Sequence, residues 1–349
     1  MAFKKLFLTC VILFVLANSL LCSSVCASSP LWSRTYGTRG GEIAYSVIET
    51  SDGGYTIAGG TVFIDTEGKD FWLVKTDAEG NMQWNRTYSG EGDEWAYSVV
   101  ETSDGGYAIA GYTKSFDAQI MDFWLVKTDS TGTPEWNRTY VGAASGVAHS
   151  VIQTSDGGFA LVGDAFFVKT DAQGNMQWNK TYPKGHLDSL VATTDGGYAI
   201  AGFMGSYIEG YDFWLIKTDV MGNTEWNKTY GGAGHEQAYS LVETSDAGFC
   251  LVGGNLLVKT DKFGNLQWNQ TYVHGTAYSL IKTSDGGYAL AGEIVSSITS
   301  SDDFWLIKTD EYGIPEFHSL LLLPLLLMVS FVAIFCMHKL TRKQAGQVL

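Results

Sequence analysis

Residues 44–50 (AYSVIET) and 55–61 (YTIAGGT) are short apolar runs separated by Ser51, Asp52, Gly53 and Gly54. The Asp-Gly pair supplies the positive φ angles of a tight hairpin turn. Residues 71–76 (FWLVKT) and 82–88 (MQWNRTY) flank Asp77-Ala78-Glu79-Gly80, where glycine suits the left-handed position of a short loop. The spacing predicts four antiparallel strands. The first three are apolar on both faces, as in sheets covered on both sides. The fourth sets Trp84, Arg86 and Tyr88 against Asn85 and Thr87, the alternation of a half-wetted outer strand.

The unit recurs. Copies begin at Trp32, Trp84, Trp136, Trp178, Trp226 and Trp268, with spacings of 52, 52, 42, 48 and 42 residues. Each carries DGG or a near match, at Asp52, Asp104, Asp156, Asp195, Asp246 (DAG) and Asp285. Each also carries KTD, at Lys75, Lys127, Lys169, Lys217, Lys259 and Lys308. Four strands per unit of about 40–50 residues predict an all-β, six-bladed β-propeller of four-stranded blades. A seven-bladed-like ring and an open β-solenoid are the alternatives, and a solenoid needs distinct caps at both ends. The ends point to a ring. Copy six runs on after its third strand (304–309) without writing its own Arg-Thr-Tyr, while residues 32–36 (WSRTY) are an outer strand without a blade. Pairing the two closes the ring and removes its edges.

The segments outside the repeats define four regions. Residues 1–27 read as a signal peptide: Lys4 and Lys5, an apolar run over 6–21, then Val25-Cys26-Ala27. Residues 28–317 form the propeller ectodomain. Residues 318–338 read as a transmembrane or sorting helix, and the tail 339–349 is basic through Lys339, Arg342 and Lys343. That flank predicts single-pass type I topology with the propeller outside the cell. The ectodomain holds 17 basic and 37 acidic residues, a net of −20. Such a field repels nucleic acid and favours cations. Cys250 is the only ectodomain cysteine, so the fold must close by packing, and the chain is expected to be monomeric.

Asp77-x-x-Gly80-x-x-x-Trp84 resembles the tryptophan-docking motif of quinoprotein-like propellers. It recurs at Asp129/Trp136, Asp171/Trp178, Asp219/Trp226 and Asp261/Trp268, with Phe317 in the Trp position of copy six. The repeats are also similar to kelch-like propeller repeats of secreted archaeal and bacterial proteins. The resemblance implies a fold in which Trp32, Trp84, Trp136, Trp178, Trp226 and Trp268 wedge between blades, and it implies no cofactor. Pro315-Glu316-Phe317, followed by the apolar span, resembles the PEF-CTERM sorting tail of archaeal surface proteins. That likeness implies an archaeal source and processing at the cell envelope. Cleavage of the tail and a permanent anchor both stay open.

On an exported domain, Asn85, Asn137, Asn179, Asn227 and Asn269 are glycosylation sequons, while copy one has Ser33 instead. The tight turns fall on one face of the ring, and variable loops (62–70, 114–122, 204–212 and 293–303) fall on the other. In copies three and five that loop shrinks to 163–166 and 253–256. Constant turns opposite variable loops describe a binding face on a rigid scaffold. Asp70, Asp122, Asp212 and Asp303 read as loop-closing residues.

His149, His186, His235 and His274, with Glu42, Asp93, Glu94, Asp188 and Glu236, should surround the axial opening. Imidazole and carboxylate together could hold a divalent cation, although no H-x-x-x-H or D-x-D-x-D spacing occurs. Thr50-x-Asp52-x-Gly54-x-Thr56 loosely resembles the Asp-box of sialidases. An arginine cluster for a substrate carboxylate is missing, since the ectodomain has only Arg34, Arg39, Arg86 and Arg138. No nucleophile motif, P-loop or dinucleotide fingerprint appears. The expected function is a non-enzymatic, membrane-anchored surface module that binds extracellular protein or glycan. The alternative is a hydrolase or lyase with a cation at the axis.

Overall fold

Blade one shows how each repeat folds. Its strands are β1 (Gly41–Glu49), β2 (Tyr55–Val62), β3 (Lys69–Thr76) and β4 (Met82–Tyr88), hydrogen-bonded in that order. Gly53 takes φ 81° and Gly80 φ 74° at the two tight turns, as the Asp-Gly and DxxG spacings require. The computed structural model describes residues 33–37, 40–62, 68–116, 121–141, 146–206, 210–232, 234–272, 275–295 and 302–315. Within them lie six antiparallel sheets, five of four strands and a sixth of three. The chain is an all-β, six-bladed β-propeller.

The Asp of each DGG turn and the Lys of each KTD form one network. Lys75 Nζ lies 2.8 Å from Asp52 Oδ2 and donates to the Thr76 carbonyl at 2.8 Å, while Thr50 Oγ1 donates to Asp52 Oδ1. The ion pair recurs at 2.8–2.9 Å in Lys127–Asp104, Lys169–Asp156, Lys217–Asp195, Lys259–Asp246 and Lys308–Asp285. In the first five blades the lysine is buried beneath a half-exposed aspartate. The Asp-box-like letters are therefore spent on holding the hairpin ends together.

Blades join through the outer strand. Trp84, Arg86 and Tyr88 share one face of β4 and cradle the DxxG turn of blade two. A Cβ on Gly132 would lie 2.7 Å from the Trp84 ring, and Tyr88 donates its hydroxyl to the Gly132 carbonyl at 2.8 Å. The same cradle holds Gly174 against Trp136, Gly222 against Trp178, Gly264 against Trp226 and Gly313 against Trp268. Deeper in, among the described residues, five apolar cores lie between successive blades. The first joins Phe71 and Leu73 to Val99 and Trp124.

Closure differs from the expectation. Tyr36 does donate to the Gly80 carbonyl at 2.7 Å, which is the bond an outer strand of the preceding blade makes. Residues 33–37 nevertheless form no strand. Among the described residues the third strand of blade six, Asp302–Thr309, is followed only by a single antiparallel bridge from Pro315 to Thr309, where Met82 pairs with Thr76 in blade one. Leu306 is 74 % exposed, whereas Leu73, Leu125 and Leu215 at the same position are fully buried. Among the described residues the two ends are not joined by strand pairing.

Trp32, Phe317, His274 and the segments 1–27, 318–338 and 339–349 lie outside the described residues. Among those described, no helix is long and apolar enough to cross a membrane.

Candidate functional site

The innermost strand of each complete repeat should alternate strictly, and in four blades it does not. The ladder slips at Ala44/Ser46, Ala96/Ser98, Leu187/Ser189 and Ala277/Ser279, leaving Tyr45, Tyr97, Asp188 and Tyr278 as bulged residues. His149 and Tyr239 occupy the same repeat position in blades three and five, immediately before the inner strands Ser150–Gln153 and Ser240–Glu243. Six residues, one per blade, thus project from the innermost edge.

Several neighbours in this set touch. Ring centroids are 4.8 Å apart for Tyr45–Tyr97, 5.3 Å for Tyr97–His149 and 5.3 Å for Tyr239–Tyr278. His149 also lies 5.0 Å from His186, which stands two positions before Asp188. The serine that follows the bulge ties the blades. Ser46 Oγ accepts from Val99 N, Ser98 Oγ from Val151 N and Ser240 Oγ from Leu280 N. A half-exposed aromatic row results, fixed by backbone bonds to the next blade.

Between blades three and four the row changes chemistry. The shortened loop of blade three places Asp164 in a tight turn at φ 42°. Leu187 N donates to the Asp164 carbonyl at 2.7 Å, which pins that turn against the inner strand of blade four, Gly185–Ala192. Asp164 Oδ1 then lies 2.9 Å from His186 Nε2 and 3.9 Å from His149 Nε2, and Asp164 Oδ2 accepts from Val147 N. On the other side of the imidazole, His186 Nδ1 is 3.2 Å from Asp188 Oδ1. Burial works to lower the pKa of His186, but Asp164 and Asp188 outweigh it and push the value up to about 9. Burial would raise Asp164, yet His149, His186 and the Val147 amide hold it below the usual carboxylate range.

The structure gathers three of the expected cation ligands and disperses the other described ones. His149, His186 and Asp188 each offer a ligand atom within 4.8 Å of the others. His235 is separated from them by Phe203, stacked on His186 at 4.9 Å, and by Tyr211, 5.1 Å from the His235 ring. Glu42, Glu94 and Glu236 share one repeat position and organise the loop that enters each blade. Glu94 is fully buried and accepts from Thr113, Ser115 and the Gly90 amide. Glu42 accepts from Thr61, and Glu236 takes a long bond from the Gly232 amide. Asp93 is paired with Lys114 at 2.9 Å. These carboxylates are committed to loop geometry. Asp164 was not visible as a site residue from the sequence. Its signal is an Asp in the two-residue turn where copy five has Gly254.

Among the loop-closing aspartates, Asp122 is buried and pushed upward by burial. Burial, Glu94 and Asp93 raise Asp70 to about 6. The sequon residues Asn85, Asn137, Asn179, Asn227 and Asn269 are all exposed on outer strands. Asn85, Asn137 and Asn227 accept from the indoles of Trp72, Trp124 and Trp214 at 3.3–3.4 Å.

An arrangement built from repeated four-stranded sheets invites comparison with solved propellers. The likeness is to WD40 propellers. The RRP9 WD40 repeats superpose with a TM-score of 0.54 at 9% identity, covering 80% of this chain and 82% of that one. The Dos1 propeller gives 0.50 at 12% identity, over 71% of this chain and 64% of that one. The WD40 propeller domain of Doa1 gives 0.42 at 13% identity, over 73% and 91%. At such identities the likeness concerns the fold alone. No protein-family model matches the chain, and no curated protein matches it.

Proposed function

We propose that this propeller is a non-enzymatic interaction module, displayed at the cell surface, that binds a protein partner across its innermost strands and variable loops. One contrast supports the reading most. The DGG, KTD and DxxG groups, alike in every blade, are consumed by internal bonds such as Lys75–Asp52 and Tyr88–Gly132. The inner edge differs from blade to blade and keeps accessible aromatic rings, with Tyr45 at 48 % and Tyr278 at 43 % exposure. Aromatic side chains bring large contact area at low entropic cost, which is what a recognition surface requires. The net charge of −20 between the two apolar ends favours a partner with a basic face.

Surface display rests on the leader-like 1–27 and the span 318–338, and glycans at the five exposed sequons belong to the same reading. Protease treatment of intact cells should release peptides from the blades, and protection until lysis overturns the location. For the binding face, the full chain and its Tyr97→Ser/Tyr278→Ser variant serve as cross-linking baits on whole envelopes. A protein held by the parent and by a turn-face control, Glu79→Ala, but lost by the double variant supports the reading. Equal capture by all three refutes it.

A further inference from the structure

Four departures from the repeat converge on the interface of blades three and four. His149 stands where blades one, two, five and six have tyrosine, and Asp188 stands there in blade four. His186 takes the place of Trp95, and the shortened loop delivers Asp164. Each change alone is ordinary surface variation. Together they replace an aromatic contact by two imidazoles and two carboxylates within one blade-to-blade junction.

The polar atoms there are not satisfied by one another. His186 Nδ1 and Asp188 Oδ2 are buried and have no hydrogen-bond partner, although Nδ1 lies 3.2 Å from Asp188 Oδ1. Buried polar atoms left in this way mark a missing ligand or a strained site. Asp164 meanwhile engages the opposite nitrogen of the same ring at 2.9 Å, and Phe203 stacks on its face with an interplanar angle of 12°. A carboxylate on one ring nitrogen is how metal-binding histidines are held, which leaves the other nitrogen, here beside Asp188, to face a metal.

We infer that His149, His186 and Asp188 are three ligands of a divalent transition-metal site of the zinc type, with Asp164 as the positioning residue for His186. Two imidazoles and one carboxylate suit zinc and its neighbours in the series, whereas calcium takes six or more oxygens. Metal–ligand bonds of about 2.0–2.2 Å require the donor atoms to draw closer than their present spread of 4.8 Å. Both histidines keep some solvent exposure, so a rotamer adjustment provides the closure and water can fill the fourth position. The site adds a metal to the interaction surface and assigns it no reaction.

The test uses the metal itself. The full chain, freed of metal by chelator and dialysed, is titrated with Co(II), and visible absorption is read. The expected result is a saturable band at one equivalent, displaced by Zn(II) and accompanied by a higher melting temperature. His186→Gln and Asp188→Asn abolish the band, His235→Gln leaves it intact, and Asp164→Asn weakens binding about 10–100-fold. Circular dichroism confirms that each variant is folded, and His149→Gln supplies a second ligand loss should one of them unfold. No band in the folded parent overturns the proposal, as does a band indifferent to His149, His186 and Asp188. His186 is then an imidazolium gripped by two carboxylates and nothing more.

Discussion

Leu306 and Val47 stand at repeat positions that meet inside a core at every other junction, yet they are 74 % and 63 % exposed. Their counterparts Leu73 and Val99 share the first core at 0 % and 4 %. The difference is measurable. Leu73→Ala should cost about 2–5 kcal/mol, as buried leucines do, and Leu306→Ala no more than about 0.5 kcal/mol. Chemical denaturation of both variants gives the comparison. Equal losses would mean that the ends meet in solution, with residues 32–36 as the strand between them.

Gly132 pairs a left-handed φ of 76° with the Trp84 ring above it. Gly132→Ala brings both backbone strain and a clash, so a loss of about 2–4 kcal/mol is expected. At Gly105, also left-handed, no atom lies within 4 Å of an added Cβ, and Gly105→Ala should cost only about 1 kcal/mol. The two melting curves separate strain from docking. If both variants lose the same amount, the tryptophan cradle is not holding the blades.

Acid should loosen the blades once the aspartates of the repeated ion pairs take up protons. Burial works upward on Asp104, Asp156, Asp195 and Asp246, but hydrogen bonds from the lysine, threonine and turn amide prevail and hold each at about 2. Folded values lie below the unfolded value of about 3.9, so the native state binds fewer protons. The resulting stability is complete above about pH 5 and disappears as pH falls from about 4 through 2. Asp104→Asn should be less stable at neutral pH and lose less on acidification than the parent. Parallel curves would remove the ion pair from the account.

Cys250 is fully buried, and burial pushes its thiol up to about 12. Alkylation at Cys250, read by peptide mass, should therefore be absent in the folded chain and appear only with opening of blade five. Prompt labelling under native conditions would contradict the packing of that blade.

Much of this architecture was legible because local chemistry dictates it. Asp52-Gly53 and Asp77-x-x-Gly80 mark turns wherever they occur, and the strands between them follow to within a few residues. The pairing of Asp52 with Lys75 was harder to read, since 23 positions separate two letters that each looked like a repeat marker. The slip at Ala44/Ser46 has no sequence signal at all. A period-two reading puts Tyr45 and Val47 on one face, whereas the bulge frees Tyr45 from the ladder. The cluster around His186 lay deeper still. Asp164 joins it through the Leu187 amide and His186 of the next blade, contacts that no single repeat encodes.

Stability should also be graded along the array, because each blade rests on its neighbours. Among the described residues, blades two to five are gripped from both sides, whereas blades one and six each share a single core. Such arrays behave as coupled units whose ends open first. Amide hydrogens of Ile109, Leu161 and Leu215 should thus exchange only through global unfolding, while those of the strand Asp302–Thr309 exchange by fraying. A propeller graded in this way would unzip from its two end blades toward its middle.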